Sequence, residues 1–248
     1  MGIEQHKDLI DINRKLWHRK PLLKSVYTDL YRMMQGYQAN IPGKILELGS
    51  GMGTISEVIP DCIRTDLFHF PWLDLVENAY RLSFQNATIS NLLMVDVFHH
   101  LRYPGTALRE FRRVLVPSGR VIMMEPGIGL LGRLIYEWMH VEPVGNKKDI
   151  TWFAPNDWLP YEVDYYAAQG NATWIFKNPN ISNLLNEWRI VETRQIAALA
   201  YAASGGYSGP QLYPIGAYRF IKSTEKFFQL FPGLFTTRLL VVLEKKQE

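Results

Sequence analysis

Apolar residues recur at spacings of three and four over residues 22–37, where Leu23, Val26, Tyr27, Leu30, Tyr31, Met34 and Tyr37 mark one face of an amphipathic helix opened by Pro21. Ahead of it, Lys7, Arg14, Lys15, Arg19, Lys20 and Lys24 outnumber Asp8 and Asp11. That stretch reads as a solvated basic arm, with a phosphate or other anionic surface as the functional alternative. Beyond the turn Ile41-Pro42-Gly43 the pattern changes. A short apolar run, Lys44 to Leu48, leads into Gly49-Ser50-Gly51-Met52-Gly53 and then Ile55, Val58 and Ile59. The expected order is strand, glycine loop, helix.

Four further apolar runs follow: Cys62 to Thr65 closed by Asp66, Leu73 to Val76, Leu92 to Val97, and Val121 to Met124 closed by Glu125-Pro126. Between the last two, Leu108, Phe111 and Leu115 form the apolar face of a helix over 104–115, ended by Pro117-Ser118-Gly119. Strand periodicity returns at 189–196 and 239–243, around a helix near 215–230. Strands alternating with helical stretches predict an α/β chain built on a doubly wound, seven-stranded, mainly parallel sheet, with ligands at the carboxyl ends of the strands. The alternation fails after Gly127, and residues 151–180 crowd Trp152, Phe153, Trp158, Tyr161, Tyr165, Tyr166, Trp174 and Phe176 among Asn and Pro. The expectation is one domain over 1–248, with an N-terminal helical arm (1–40), an inserted aromatic-rich cap (127–185), and final strands with a substrate-side loop (186–248).

Composition narrows the classes. The 248 residues are 47% hydrophobic, and 27 Lys plus Arg against 24 Asp plus Glu leave a net charge of +3. That balance argues against a disordered polyelectrolyte and against a nucleic-acid coat. A single cysteine, Cys62, excludes a disulfide framework and a cysteine-based zinc site and points to a reducing, cytoplasmic setting. No uninterrupted apolar run reaches the length of a membrane span. Oligomeric state is not readable from these features.

The glycine loop lacks the third glycine spacing of a dinucleotide fingerprint, because Thr54 and Ser56 occupy the candidate positions. It also lacks the Gly-Lys-Ser/Thr of a triphosphate loop. What stands there is acidic-x-Gly-x-Gly-x-Gly, Glu47 to Gly53. The segment ILELGSGMG resembles the first motif of class I S-adenosylmethionine-dependent methyltransferases, in the branch typified by ubiquinone and menaquinone biosynthesis. Residues 91–101 (NLLMVDVFHHL) and 110–126 (EFRRVLVPSGRVIMMEP) are similar to the family's fourth strand, following helix and fifth strand.

The resemblance implies S-adenosyl-L-methionine as cofactor, held by Glu47, Gly49, Ser50, Gly51 and Gly53, with Asp66 on the ribose hydroxyls and Asp96 after strand four. The family's acidic-small pair beside the adenine corresponds here to Asn78-Ala79. The linker from Asp66 to Leu73 is too short for a helical crossover, so a short or displaced third strand is expected. HVEP, GNATWIF and AASGGYSGPQLYP bear a weaker likeness to methyltransferases encoded with polysaccharide-biosynthesis enzymes.

Methyl transfer from a sulfonium needs alignment, dehydration and, for a hydroxyl nucleophile, somewhere for the proton to go. His99 and His100 follow strand four; adjacent residues leaving a strand point opposite ways, and His99 is preferred as the base. His140, beside Glu142, is the second candidate. A His-x-Glu pair without a third recognisable ligand predicts no metal. The expected acceptor is a sugar or glycan hydroxyl on a small molecule, with a quinone or lipid, or an inactive cofactor-binding subunit, as alternatives. No nucleic acid is expected, since VFHH replaces an Asx-Pro-Pro-aromatic motif.

Overall fold

The computed structural model describes residues 3–138, 142–145, 150–161, 166–178, 183–207 and 209–247. Seven strands form one sheet: β1 (Lys44–Leu48), β2 (Cys62–Asp66), β3 (Leu75–Val76), β4 (Ile89–Val95), β5 (Leu115–Pro126), β6 (Trp188–Ile196) and β7 (Arg238–Lys245). Their order is β3-β2-β1-β4-β5-β7-β6. The first five run parallel, and β7 is antiparallel to both β5 and β6. This is the expected seven-stranded, mainly parallel α/β sheet.

Both faces of the central strands are buried, and the two-residue period sends alternate side chains to opposite cores. Leu92 and Met94 of β4, with Leu239, Val241 and Leu243 of β7, pack on one side with helix α3 (Pro104–Val114). Leu93, Leu240 and Val242 pack on the other, against α2 (Pro21–Gln35). Proline at the first position starts each of these helices with its fixed φ. Helix α1 (Ile3–Trp17) precedes α2. The remaining helices are α4 (Leu130–Trp138), α5 (Asn171–Phe176), α6 (Leu199–Ala203), α7 (Tyr218–Phe228) and α8 (Pro232–Phe235).

The helix expected after the glycine loop is a single 3₁₀ turn, Thr54–Glu57. Pro60 explains the difference: it disfavours helical geometry at Ile59, which leaves room for about one turn after Gly53. The linkers on either side of β3 also lack helices, and β3 itself is a two-residue edge strand paired with Thr65 and Asp66. The sheet's first half is therefore covered by α1, α2 and loops rather than by crossover helices. Residues 150–161 lie against α3: Gly105 N–H donates to the Trp152 carbonyl (2.8 Å), and the Trp158 ring meets Tyr80 and Tyr103 edge-on at 4.9 and 5.1 Å.

Candidate active site

The parallel strands end together, and a cavity of about 300 Å³ opens there. One wall is the glycine loop. Gly49 has φ +66°, and a Cβ on it would fall inside the Val97 side chain just beyond β4. Only glycine meets both conditions without strain. Gly51 also has positive φ, and its N–H donates to Asp66 Oδ2 (2.9 Å). Ser50 ties the loop to β2, donating its N–H to the Thr65 carbonyl (2.8 Å) and accepting the Thr65 N–H at Oγ (3.1 Å). Gly53 is left-handed as well but does not line the cavity; it turns the chain into the 3₁₀ segment.

Two aromatic and basic side chains hold the outside of the same loop. Trp72 Nε1 donates to the Gly51 carbonyl (2.9 Å), and Arg14 Nη1 donates to that of Met52 (2.7 Å) while its guanidinium stacks 4.2 Å from the Trp72 ring. At least one residue of the basic arm is thus a structural partner of the loop. Ile10 and Asn13 of α1, Tyr27 and Tyr31 of α2, and the distant Tyr207 also line the cavity. Sequence reasoning missed all of them. The helical spacing of Tyr27 and Tyr31 announces a buried face without saying what that face covers, and Tyr207 lies in a turn that no periodicity reaches.

Glu47 is 1% exposed, and its Oε2 has no hydrogen-bond partner among the described residues. Burial pushes its carboxyl up to about 7, against partial relief from the Ser50 and Tyr31 hydroxyls. Such an acid is well suited to a ligand that brings a positive charge or donors. Asp66 lines the cavity at the end of β2, where a carboxylate can accept several hydrogen bonds. Asn78 and Ala79 line it too, but the Asn78 amide spans two backbone groups, donating to the Pro160 carbonyl (2.7 Å) and accepting the Tyr80 N–H (2.9 Å). The acid beside them is Glu77, whose carboxylate receives the Ser83 N–H and hydroxyl.

Asp96 lines the cavity floor in a left-handed conformation (φ +57°). Its carboxylate makes a two-pronged pair with Arg238, at 2.5 and 3.0 Å. Arg238 is fully buried, and its guanidinium also lies 4.6 Å from the Tyr201 ring.

The histidines require a correction. His99, expected to face the cavity, does not line it, and His100 does. The alternation argument assumed extended chain, whereas β4 ends at Val95 and Phe98–His100 is a 3₁₀ turn. The Glu125 carboxylate organises that turn, accepting N–H groups from Val97 (2.9 Å), Phe98 (2.7 Å) and His99 (3.3 Å). His99 lies between two acids, with Nδ1 2.8 Å from Glu125 Oε2 and Nε2 3.3 Å from Glu142 Oε2. Burial alone favours the neutral ring, and the two carboxylates outweigh it, raising the imidazole to about 10. A ring so placed is a cation at neutral pH, unsuited to accept a proton. His140 lies outside the described residues.

The family model described as a methyltransferase domain matches residues 46–123, from β1 into β5. Among solved structures, a SAM-dependent methyltransferase from Thermotoga maritima, described as a possible histamine N-methyltransferase, superposes with a TM-score of 0.53 at 13% identity, over 97% of each chain. One from Archaeoglobus fulgidus gives 0.52 at 13% identity, over 90% of this chain and 94% of that one. The complex between the Haloferax volcanii Trm112 methyltransferase activator and a methyltransferase gives 0.52 at 14% identity, over 95% and 94%. A Dictyostelium discoideum protein named "Probable polyketide synthase 10" is 20% identical over 115 residues, a stretch that is 45% of this chain and only 4% of the relative.

The sheet order is that of the class I S-adenosylmethionine-dependent methyltransferase fold, and the stretch that matches the methyltransferase-domain model, residues 46–123, carries the glycine loop. The residues present fit that cofactor: a buried acid with one oxygen unpartnered among the described residues, a carboxylate at the end of β2, and a glycine backbone that lets a ligand approach closely. Among the described residues no helix is long and apolar enough to cross a membrane.

Proposed function

We propose that the chain O-methylates a small polar acceptor, a sugar or glycan precursor. The observation that carries this reading is the composition of the cavity at the strand ends. Its cofactor end is the glycine loop with Glu47 and Asp66, while the rest of the wall presents phenol rings (Tyr27, Tyr31, Tyr80, Tyr166, Tyr207) and the imidazole of His100. Phenol rings give apolar faces that pack on sugar rings and hydroxyls that hydrogen-bond to them.

In this reading Glu47, Asp66 and the loop amides hold the cofactor, whose sulfonium methyl is the transferred group. Tyr166, from the stretch expected to form the cap, meets the acceptor, and the protein aligns the acceptor's hydroxyl oxygen with the methyl carbon and excludes water. The acceptor's proton is drawn off at the cluster of His100 and Glu142, whose Nε2 and Oε1 stand 3.7 Å apart. His100 Nδ1 faces the Tyr166 carbonyl (2.8 Å) and so carries the ring hydrogen that donates to it, leaving Nε2 turned toward Glu142. His100→Gln is expected to lower turnover by about 100-fold or more with cofactor affinity nearly unchanged.

Incubation with labelled cofactor and a panel of nucleotide sugars, oligosaccharides, quinols and lipids tests the acceptor class. Label on a glycan hydroxyl is the expected result; efficient labelling of quinol or lipid with none on any glycan overturns it. One observation favours that second reading. Trp138 of α4, Phe220 of α7 and Leu230 just after it are 81%, 71% and 70% exposed, apolar side chains of the kind that a lipid-borne acceptor or its membrane would meet.

A further inference from the structure

We propose that His99, His100 and Glu142 bind a divalent cation of the zinc type beside the acceptor end of the cavity. The role of that ion toward the acceptor rests on the function proposed above; its binding does not.

Two imidazoles and one carboxylate are a donor set used by catalytic zinc sites, which keep a further position open. Here one candidate ligand atom from each of the three side chains can be chosen so that all lie within 4.8 Å of one another. His99 Nε2 is 3.3 Å from Glu142 Oε2, and His100 Nε2 is 3.7 Å from Oε1. Tetrahedral ligands at zinc distances of about 2.0–2.2 Å are separated by roughly 3.3–3.6 Å, so each imidazole already stands near ligand spacing from one Glu142 oxygen, and binding would draw the three donors closer together.

The surroundings orient the donors. Each imidazole is held through Nδ1, His99 by the Glu125 carboxylate (2.8 Å) and His100 by the Tyr166 carbonyl (2.8 Å), and each turns Nε2 toward Glu142. Carboxylate or carbonyl support of the distal nitrogen is the usual outer arrangement around metal-binding histidines. Glu125 is itself fixed by three backbone N–H groups, so the arrangement is anchored to the end of β5.

Gln169 supplies an independent sign that a group belongs here. It is 2% exposed, and its Oε1 has no hydrogen-bond partner among the described residues. Its Nε2 instead lies 2.5 Å from Glu142 Oε2 and 3.2 Å from His99 Nε2. Exchanging the amide's oxygen and nitrogen, which a half-turn of the side chain achieves, would bring a fourth donor oxygen to the same point. The charges agree as well. Glu125 and Glu142 are 0% and 9% exposed, and protonated His99 offsets only one of these two buried carboxylates, whereas a divalent ion that displaces the proton from His99 Nε2 offsets both. His100 lines the cavity, so an ion at this place reaches the acceptor; with the His100 Nε2 bound to it, the ion replaces that nitrogen in activating the hydroxyl, lowering the pKa of the bound hydroxyl so that its proton leaves to water.

The test begins with chelator-treated protein titrated with Co²⁺ and then Zn²⁺, read by visible absorption and melting temperature. One equivalent of Co²⁺ with a ligand-field band, displaced by Zn²⁺, is expected. Glu142→Gln and His100→Gln should each weaken binding at least about 10-fold, and His69→Gln should not. Retained S-adenosylmethionine binding in the two ligand variants shows that they fold. Absence of saturable binding, or equal affinity in wild type and both ligand variants, overturns the site and leaves a cluster held together by protons alone. Binding with methyl transfer indifferent to chelation overturns the acceptor role. Metal binding with no methyl transfer to any acceptor defeats the proposed function while the site stands.

Discussion

Glu47 carries the cavity's most consequential titration. Its carboxyl is raised from 4.5 to about 7 by burial, so between these values the unfolded chain releases a proton that the folded chain retains. Stability is therefore greatest below about pH 4.5 as far as this group is concerned and declines as pH rises through 7, by about 3 kcal/mol in all. Glu47→Gln removes the ionisation, and its melting temperature should exceed that of wild type at pH 8 and match it near pH 4.5. The same substitution should weaken S-adenosylmethionine binding, which calorimetry would register. Equal melting curves at pH 8 would mean that Glu47 ionises without cost. Asp66 has a different task, since it both receives the Gly51 N–H and faces the cavity. Asp66→Asn should reduce cofactor affinity about 10- to 150-fold, the loss of a charge-assisted hydrogen bond.

At the scale of elements, two close approaches hold the site in shape. One is the glycine loop against Val97, which joins β1 to the end of β4. The other is α3 against residues 150–161. A Cβ on Gly105 would coincide with the Trp152 indole, and Ala154 N–H is bonded to Thr106 Oγ1 (2.9 Å). Gly105→Ala should therefore dislodge Trp152 and cost about 1–3 kcal/mol. Limited proteolysis should show cleavage within 150–161 accelerating far more than cleavage elsewhere. Uniform protection in the variant would show that Trp152 can move aside without disturbing its segment.

Over the whole molecule, the antiparallel β7 makes the site possible. Because it runs opposite to β5, its first residue, Arg238, lies beside Pro126 at the carboxyl end of the parallel strands. From there it reaches Asp96 at the end of β4. A guanidinium buried this completely is tolerable only with its partner, and Arg238→Met should destabilise the protein by about 3–5 kcal/mol in urea unfolding. Adding Asp96→Asn should recover part of that loss, since the uncompensated charge disappears. A double variant as unstable as the sum of its parts would show that the two side chains act independently.

Much of this architecture is local and was legible in the chain. Apolar runs located strands β1, β2, β4, β5 and β7, because central strands buried in the sheet require hydrophobic stretches, and periodicity located the half-exposed edge strand β6. Periodicity located α2, α3 and α7, and the alternating glycines announced a backbone that must turn tightly near a ligand. Asp66 was readable because a strand end is a short-range feature. Tertiary structure decided everything that depends on distant segments meeting. Pro60 reduced the expected helix to one turn, and the 3₁₀ geometry after Val95 exchanged the places of His99 and His100. Arg14, Tyr27, Trp72 and Tyr207 joined the site from elements whose patterns speak only of burial. The grouping of His99, His100, Glu125, Glu142 and Gln169 spans 70 positions, from 99 to 169, and no spacing rule connects them. Sequence periodicity records which side of an element avoids water; only packing determines what stands opposite.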